Sequence, residues 1–279
     1  MTSPHVSPVS PSPVSDSPPP PTHSQPPNYP SHSQVPAFFR WLTYLLFMPL
    51  IAASTTGFGC ISLICGLWDK SGRQQHFIAH LWARSLLLIS FSPVQLIGAE
   101  RLPTTAAVYA SNHLSYMDTP VLFSNLPFQF RILAKHALWK LPFIGWYLHR
   151  SGQVPVDQTS ARSAIASLSS GINTLKQGIP LVLFPEGGRA ADGHTHSMLS
   201  GCAYMAIKAG VPLVPITLVG TYELLPIHVY ALHPRPLKVI IGDPLPTTHL
   251  TTRDADTLTQ QLQSTITQTY LAAKNSQNS

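Results

Sequence analysis

The sequence predicts an α/β fold: a mostly parallel central sheet flanked by helices, preceded by N-terminal membrane-associated helices. Three observations carry this expectation. From about residue 95 onward, short apolar runs alternate with segments of helical periodicity, the pattern of strands joined by crossover helices. Ahead of them lies "WLTYLLFMPLIAASTTGFGCISLICGLW", residues 41–68, without a charged side chain. That run exceeds the ~20 residues a helix needs to span a bilayer. Finally, charged residues make up only 10% of the 279-residue chain, against roughly 25% in an ordinary soluble domain.

The first segment, residues 1–36, holds twelve prolines, many Ser and His, and Asp16 as its one formal charge. Such a stretch buries too little apolar surface to offset its ordering entropy, so a disordered tail is expected. It lacks the basic start and early apolar run of a signal peptide. Residues 37–92 form the expected membrane-associated segment. Within it, 41–68 reads either as a tilted span or as one arm of a helical hairpin with 76–92 that dips into one leaflet. Pro49, "TTGFG" (55–59) and Gly66 complicate a single straight helix. Segment 76–92, "HFIAHLWARSLLLISFS", reads as an amphipathic helix, lying on the membrane or packed on the following domain. Lys70, Arg73 and Arg84 follow the apolar run whereas Arg40 precedes it. The positive-inside rule then leaves the C-terminal bulk in the cytoplasm.

Residues 93–279 are the expected α/β domain. Strands are predicted at 105–112, 130–134, 153–156, 180–185, 212–220 and 237–242, all short and rich in Val, Ile and Leu. Between them, 159–178 sets Ala161, Ala164, Ile165, Leu168, Ile172 and Leu175 at helical spacing, with a Ser or Thr to cap its start and Gly178 just past its end. A second helix, 197–210, ends at Gly210. A third, 251–274, opens with Thr251 and Asp254 at capping-box spacing and carries Leu258, Leu262, Ile266 and Tyr270 four apart.

The net charge of +6 suits an anionic partner, lipid or a phosphate-bearing substrate. Nucleic acid is not expected, because no dense Lys/Arg stripe with interleaved aromatics occurs. Cys60, Cys65 and Cys202 have no metal-ligand spacing and are expected as free thiols. His194 and His196 lack partners at such spacing, so no metal is expected.

Two stretches attract chemical interest. "SNHLSYMDTP" (111–120) sets His113 and Asp118 five apart, a spacing that a regular helical face does not bring together. Asp118 followed by Thr-Pro and an apolar run reads as a helix N-cap. The pair meets only if 113–118 is a turn entering a helix, with the carboxylate reaching back to fix the imidazole tautomer. "LVLFPEGGRA" (181–190) ends an apolar strand in Glu186, Gly187, Gly188 and Arg189. Glycines there let backbone N–H groups approach an anion, and an arginine fork suits phosphate. Taken singly, each stretch also reads as ordinary structure.

Together they resemble the blocks of the 1-acylglycerol-3-phosphate acyltransferase family of glycerolipid acyltransferases. "NHLSYMD" (112–118) is similar to its NHxxxxD signature and "FPEGGRA" (184–190) to its FPEGTRS block. "LAKHALWKLPFIGWYL" (133–148), "SGQVPVDQ" (151–158), "GVPLVPI" (210–216) and "IGDPL" (241–245) resemble further blocks, in order. The resemblance covers roughly residues 80–250. It implies transfer of a fatty acyl group from acyl-CoA or acyl-carrier protein, as co-substrate and without a cofactor, to the free hydroxyl of 1-acylglycerol 3-phosphate. His113 would be the general base and Asp118 its orienting partner. Lys135 and Arg189 would bind the acceptor phosphate. Glu186 would position the acceptor or brace the turn, and backbone N–H groups near Gly187 and Gly188 would face the oxyanion. Departures lie on the acceptor side: Gly188 for the usual Thr, Ala190 for Ser, Gln158 for Arg and His136 for a second Lys. Alternatives are another lyso-lipid acceptor, such as a lysophospholipid or lyso-ornithine lipid, or a non-catalytic membrane-binding scaffold. A serine hydrolase would need a G-x-S-x-G elbow, which does not occur.

Overall fold

A computed structural model describes residues 36–278 apart from 142, 158 and 230. Residues 1–35 of the expected tail (1–36) and the departure at Gln158 lie outside the described residues. The chain builds a seven-stranded sheet with helices on both faces. The strands are β1 (Val94–Ile97), β2 (Val108–Ser111), β3 (Arg131–Lys135), β4 (Val154–Val156), β5 (Leu181–Leu183), β6 (Leu213–Val219) and β7 (Leu237–Ile241), in the spatial order β1-β7-β6-β2-β5-β3-β4. Neighbours run parallel except β6 and β7, as the expectation of a mostly parallel sheet requires.

The central strands are apolar on successive residues because both their faces are covered. Tyr109, Val182 and Val214 point into one core layer, whereas Val108, Ala110, Leu181, Leu183 and Leu213 point into the other. The first layer is closed by α3 (Arg73–Ile89) and α4 (Asp118–Asn125); the second by α6 (Ala161–Lys176), α7 (Gly201–Ala209) and α9 (Ala255–Asn278), with the short α8 (Thr221–Leu224) following β6. Local chemistry fixes these helices where the sequence places them. Ser160 and Ser163 form a reciprocal capping box at the start of α6. Thr251 and Asp254 form another at the short 3₁₀ turn Thr252–Asp254 that leads into α9. Gly210 stops α7 in the left-handed conformation. Leu258, Leu262, Ile266 and Tyr270 make the buried stripe of α9.

Strand β1 is absent from the sequence expectation. It is four residues long, at the sheet edge, with alternating exposure, and it pairs with β7 about 140 residues later.

The N-terminal segment differs from the expectation of an interrupted apolar run. Helix α1 (Ala37–Leu42), a π-helical turn at Thr43–Phe47 and α2 (Met48–Cys65) are continuous. Pro49 sits in the first turn of α2, directly after the π turn, where its missing N–H is tolerated. The run Phe38–Cys65 is long and apolar enough to cross a membrane by length and composition, with mean hydropathy 1.6 and only 11% of its most apolar window buried. It pairs antiparallel with α3: Trp82 Nε1 donates to Thr55 Oγ1 (3.1 Å) and Gln75 Nε2 to the Ser62 carbonyl (3.4 Å). The two helices divide their surfaces. Helix α3 gives Ile78, Ala79, Ala83, Leu86 and Leu87 to the domain core, while α2 keeps most of its apolar surface outside.

Candidate active site

Parallel strands bring two motifs to one place. Strand β2 ends at Ser111 and its neighbour β5 at Leu183, so the following loops emerge together from the carboxyl edge of the sheet, where open α/β sheets bind ligands. Asn112 secures the end of β2. Its buried side-chain amide donates to the Leu218 carbonyl (3.0 Å) and accepts from the Leu218 N–H (2.8 Å) on β6.

The chain then makes the predicted turn into α4. His113 Nδ1 lies 2.8 Å from Asp118 Oδ2. The same oxygen accepts the backbone N–H groups of Leu114 (2.7 Å) and Ser115 (2.8 Å). Asp118 is fully buried, and the His113 side chain is 12% exposed. One expectation needs correcting. Asp118 is the first residue of α4 and makes no capping bond to the helix, because its carboxylate is committed backward to the turn and the ring. With Nδ1–H donated to the carboxylate, the ring presents Nε2 as its free lone pair. The tautomer follows from this bond.

Sequence reading missed the surface on which this ring rests. Phe184, from the loop after β5, stacks on His113 with ring centroids 3.8 Å apart and planes at 13°. Glu186 adds a second tie: its Oε1 accepts the His113 N–H (3.2 Å). The Ala190 N–H donates to the His113 carbonyl (2.9 Å). Burial raises the Glu186 carboxyl to a pKa of about 7, partly offset by the His113 N–H. Its Oε2 is buried without a hydrogen bond among the described residues. The carboxyl thus ties the loop after β5 to the turn that carries His113.

The glycines divide. Gly187 adopts φ +73°, and its N–H closes the turn onto the Phe184 carbonyl (3.2 Å). That donor is committed within the loop. Gly188 has an ordinary φ and open space where a side chain would project. Among the described residues its N–H makes no backbone hydrogen bond. Ala190 is 3% exposed and sits in a small apolar cluster with Leu114, Val219 and Tyr270. The hydroxyl missing at 190 would thus point into the interior, and only the one missing at 188 would face outward.

Arg189 is exposed, with its guanidinium 4.6 Å from the centre of the Tyr116 ring, so it lies over the His113–Asp118 turn. Lys135 ends β3, exposed, on the far side of β5. The parallel registers align Tyr109, Val182 and Ile132. Lys135 therefore sits level with the loops of the site, at two strand spacings or roughly 10 Å from β2. Among the described residues neither cation is in an ion pair. His136 is turned toward Asp157, 4.0 Å away. His196 meets Asp192 four residues earlier, at 3.0 Å, a partner that the sequence reading did not identify. Among the described residues no group of three or more His, Cys, Asp or Glu side chains is arranged to hold a metal.

Residues 93–219 match the family model described as Acyltransferase. Among curated proteins, it is 36% identical over 189 residues to the chloroplastic 1-acyl-sn-glycerol-3-phosphate acyltransferase LPAT1 of Arabidopsis thaliana, covering 65% of this chain and 52% of that one. It is 33% identical over 213 residues to a 1-acyl-sn-glycerol-3-phosphate acyltransferase of Chlamydomonas reinhardtii, covering 75% and 62%. The chain thus spans between half and two thirds of the length of these relatives. The fold is shared with the crystal structure of PlsC, the 1-acyl-sn-glycerophosphate acyltransferase of Thermotoga maritima, at TM-score 0.69 and 23% identity over 83% of this chain and 94% of that one. The matched region contains both halves of the site, His113–Asp118 and Phe184–Ala190.

Proposed function

We propose that the protein transfers a fatty acyl group from a thioester, acyl-CoA or acyl-carrier protein, to the free hydroxyl of 1-acylglycerol 3-phosphate, giving phosphatidate. The observation that carries this reading is the His113–Asp118 contact at 2.8 Å, stacked on Phe184 of the second motif. Support for the acceptor comes from the activity for which these relatives are named.

In this reading His113 Nε2 takes the acceptor's hydroxyl proton as the oxygen attacks the thioester carbonyl carbon. The buried carboxylate stabilises the imidazolium that forms. The carbon–sulfur bond then breaks, and the leaving thiolate takes the proton from His113, giving the free thiol and restoring the neutral imidazole. A thioester is already activated, so no acyl-enzyme is required. The unpaired N–H at Gly188 is the best-placed loop donor for the tetrahedral oxyanion. Lys135 and Arg189 flank the site as a point charge and a fork for the acceptor phosphate. The apolar helix Phe38–Cys65 would hold the enzyme at the membrane where its acceptor resides, with the catalytic domain on the cytoplasmic side.

The test is turnover of purified full-length protein with labelled acyl-CoA and, separately, acyl-carrier protein, against a panel of lyso-lipids. Lysophosphatidate is expected to be the preferred acceptor. Preference for another lyso-lipid would keep the chemistry and overturn the acceptor. No transfer to any acceptor from either donor would favour the scaffold reading.

A further inference from the structure

The 3₁₀ turn His136–Lys140 and α5 (Ile144–Arg150) lie outside the chemistry just described. They present a group of large apolar side chains that nothing among the described residues covers. Phe143 is 63% exposed, Ile144 49% and Trp146 58%. The two aromatic rings stand edge to face, 5.2 Å apart. The inner face of the same short helix is packed, with Leu148 buried and Gly145 pressed so closely on Trp139 that any side chain there would collide with its carbonyl oxygen. The outward display is therefore built on a fixed base.

Its surroundings indicate what it meets. From residue 119 to 156 the chain contains no Asp or Glu, and Lys135, Lys140 and Arg150 are exposed along this stretch. Arg150 also donates to the Gly66 carbonyl at the end of α2 (3.2 Å). That contact sets α5 beside Leu67 and Trp68, which are 64% and 62% exposed. The apolar side chains of α5 thus lie next to the exposed end of the apolar N-terminal helix, where Lys135, Lys140 and Arg150 outnumber two carboxylates: Asp157, beside His136, and Asp69, which is taken up by backbone N–H groups. Aromatic and aliphatic side chains with basic neighbours are the composition of a surface that enters the headgroup boundary of an anionic bilayer.

We propose that His136–Arg150 is a second lipid-contact surface, inserting Phe143 and Trp146 into an anionic leaflet beside α2. The occupant is a lipid surface, since a protein groove would be expected to offer carboxylates to these cations. The consequence concerns the site itself. The segment follows Lys135 directly, so its insertion would bring the end of β3 down to the level of lipid phosphates. The proposal rests on the reading of Phe38–Cys65 as membrane-associated.

The experiment uses the full chain with Cys60→Ser and Cys65→Ser, carrying Trp146→Cys modified with a nitroxide. Ser169→Cys, on the exposed face of α6 across the sheet, is the control. Vesicles are phosphatidylcholine with or without phosphatidylglycerol, and the readout is collision with oxygen against a water-soluble nickel chelate. On anionic vesicles, the label at 146 is expected to gain oxygen contact and lose nickel contact several-fold, while that at 169 stays aqueous. A label at 146 that stays aqueous on vesicle-bound protein overturns the proposal and leaves the N-terminal anchor standing. Failure of the protein to bind vesicles overturns both readings. Equal insertion into neutral and anionic vesicles overturns the assignment to anionic lipid.

Discussion

Replacing His113 by alanine separates chemistry from architecture, because the carboxylate behind the ring does not depend on it. Asp118 Oδ2 keeps the N–H groups of Leu114 and Ser115, at 2.7 and 2.8 Å, when the imidazole is gone. The buried charge is therefore not orphaned. The losses are the stacking on Phe184, about 0.5–1.5 kcal/mol, and one charge-assisted hydrogen bond, about 1.5–3 kcal/mol. A partly exposed ring sits at the low end of such ranges, so a stability cost of about 2–3 kcal/mol is expected. Turnover is affected far more. A positioned general base contributes about 10²–10⁴-fold, or roughly 3–5 kcal/mol of barrier at 1.36 kcal/mol per decade. The assay pairs thermal unfolding with initial rates of labelled acyl transfer at saturating acceptor. The variant is expected to be folded and inactive by at least a hundredfold. A folded His113→Ala protein within tenfold of wild-type kcat would refute the assignment of His113 as base.

Four further outcomes follow from the same geometry. Asp118→Asn replaces the carboxylate with an amide whose NH₂ group must occupy either a three-bond position or the unpartnered, buried Oδ1 position; both stability and kcat are expected to fall, kcat by about 10²-fold or more, measured by unfolding and steady-state rates. Glu186→Gln removes a carboxyl whose pKa is raised to about 7 from 4.5 by burial. Such a group holds its proton longer in the folded state, so wild-type stability should decline as pH rises from 4.5 to 7, by at most about 3 kcal/mol; Tm of the variant relative to wild type should therefore climb between pH 5 and 8, and a flat difference would contradict the buried environment. Gly188→Thr projects into open space and is expected to leave Tm unchanged while lowering KM for the phosphate-bearing acceptor. Ala190→Ser puts a hydroxyl among Leu114, Val219 and Tyr270 and should cost about 1–2 kcal/mol in unfolding experiments with no change in KM.

Much of this was legible because the signals are local. Capping boxes at Ser160 and Thr251 and the left-handed stop at Gly210 are written within a few residues of where they act. The central strands announce themselves as unbroken apolar runs, since both faces are buried. The turn from His113 to Asp118 was implied by a spacing that a helix alone does not satisfy. What escaped depends on distant partners. Strand β1 is a strand because β7 lies beside it. Phe184 looks like any core aromatic until the loop after β5 is laid against the loop after β2. Asp118 reads as a helix cap in sequence, since nothing local shows that the N–H groups behind it will claim its oxygens. The uninterrupted helix through Pro49 was hidden because the π turn that accommodates the proline leaves no mark in composition.

The paired bonds between Asn112 and Leu218 have a consequence for how the protein fails. They lock the residue before His113 to β6, a strand buried along its whole length in the middle of the sheet. Amides in such places exchange with solvent only when the whole domain opens. His113 is thus tied to the most cooperative part of the molecule, while Gly187, Gly188 and Arg189 remain on a surface loop. Heating should leave the His113–Asp118 pair assembled up to the melting transition itself, so that loss of acyl transfer and global unfolding are expected to share one midpoint.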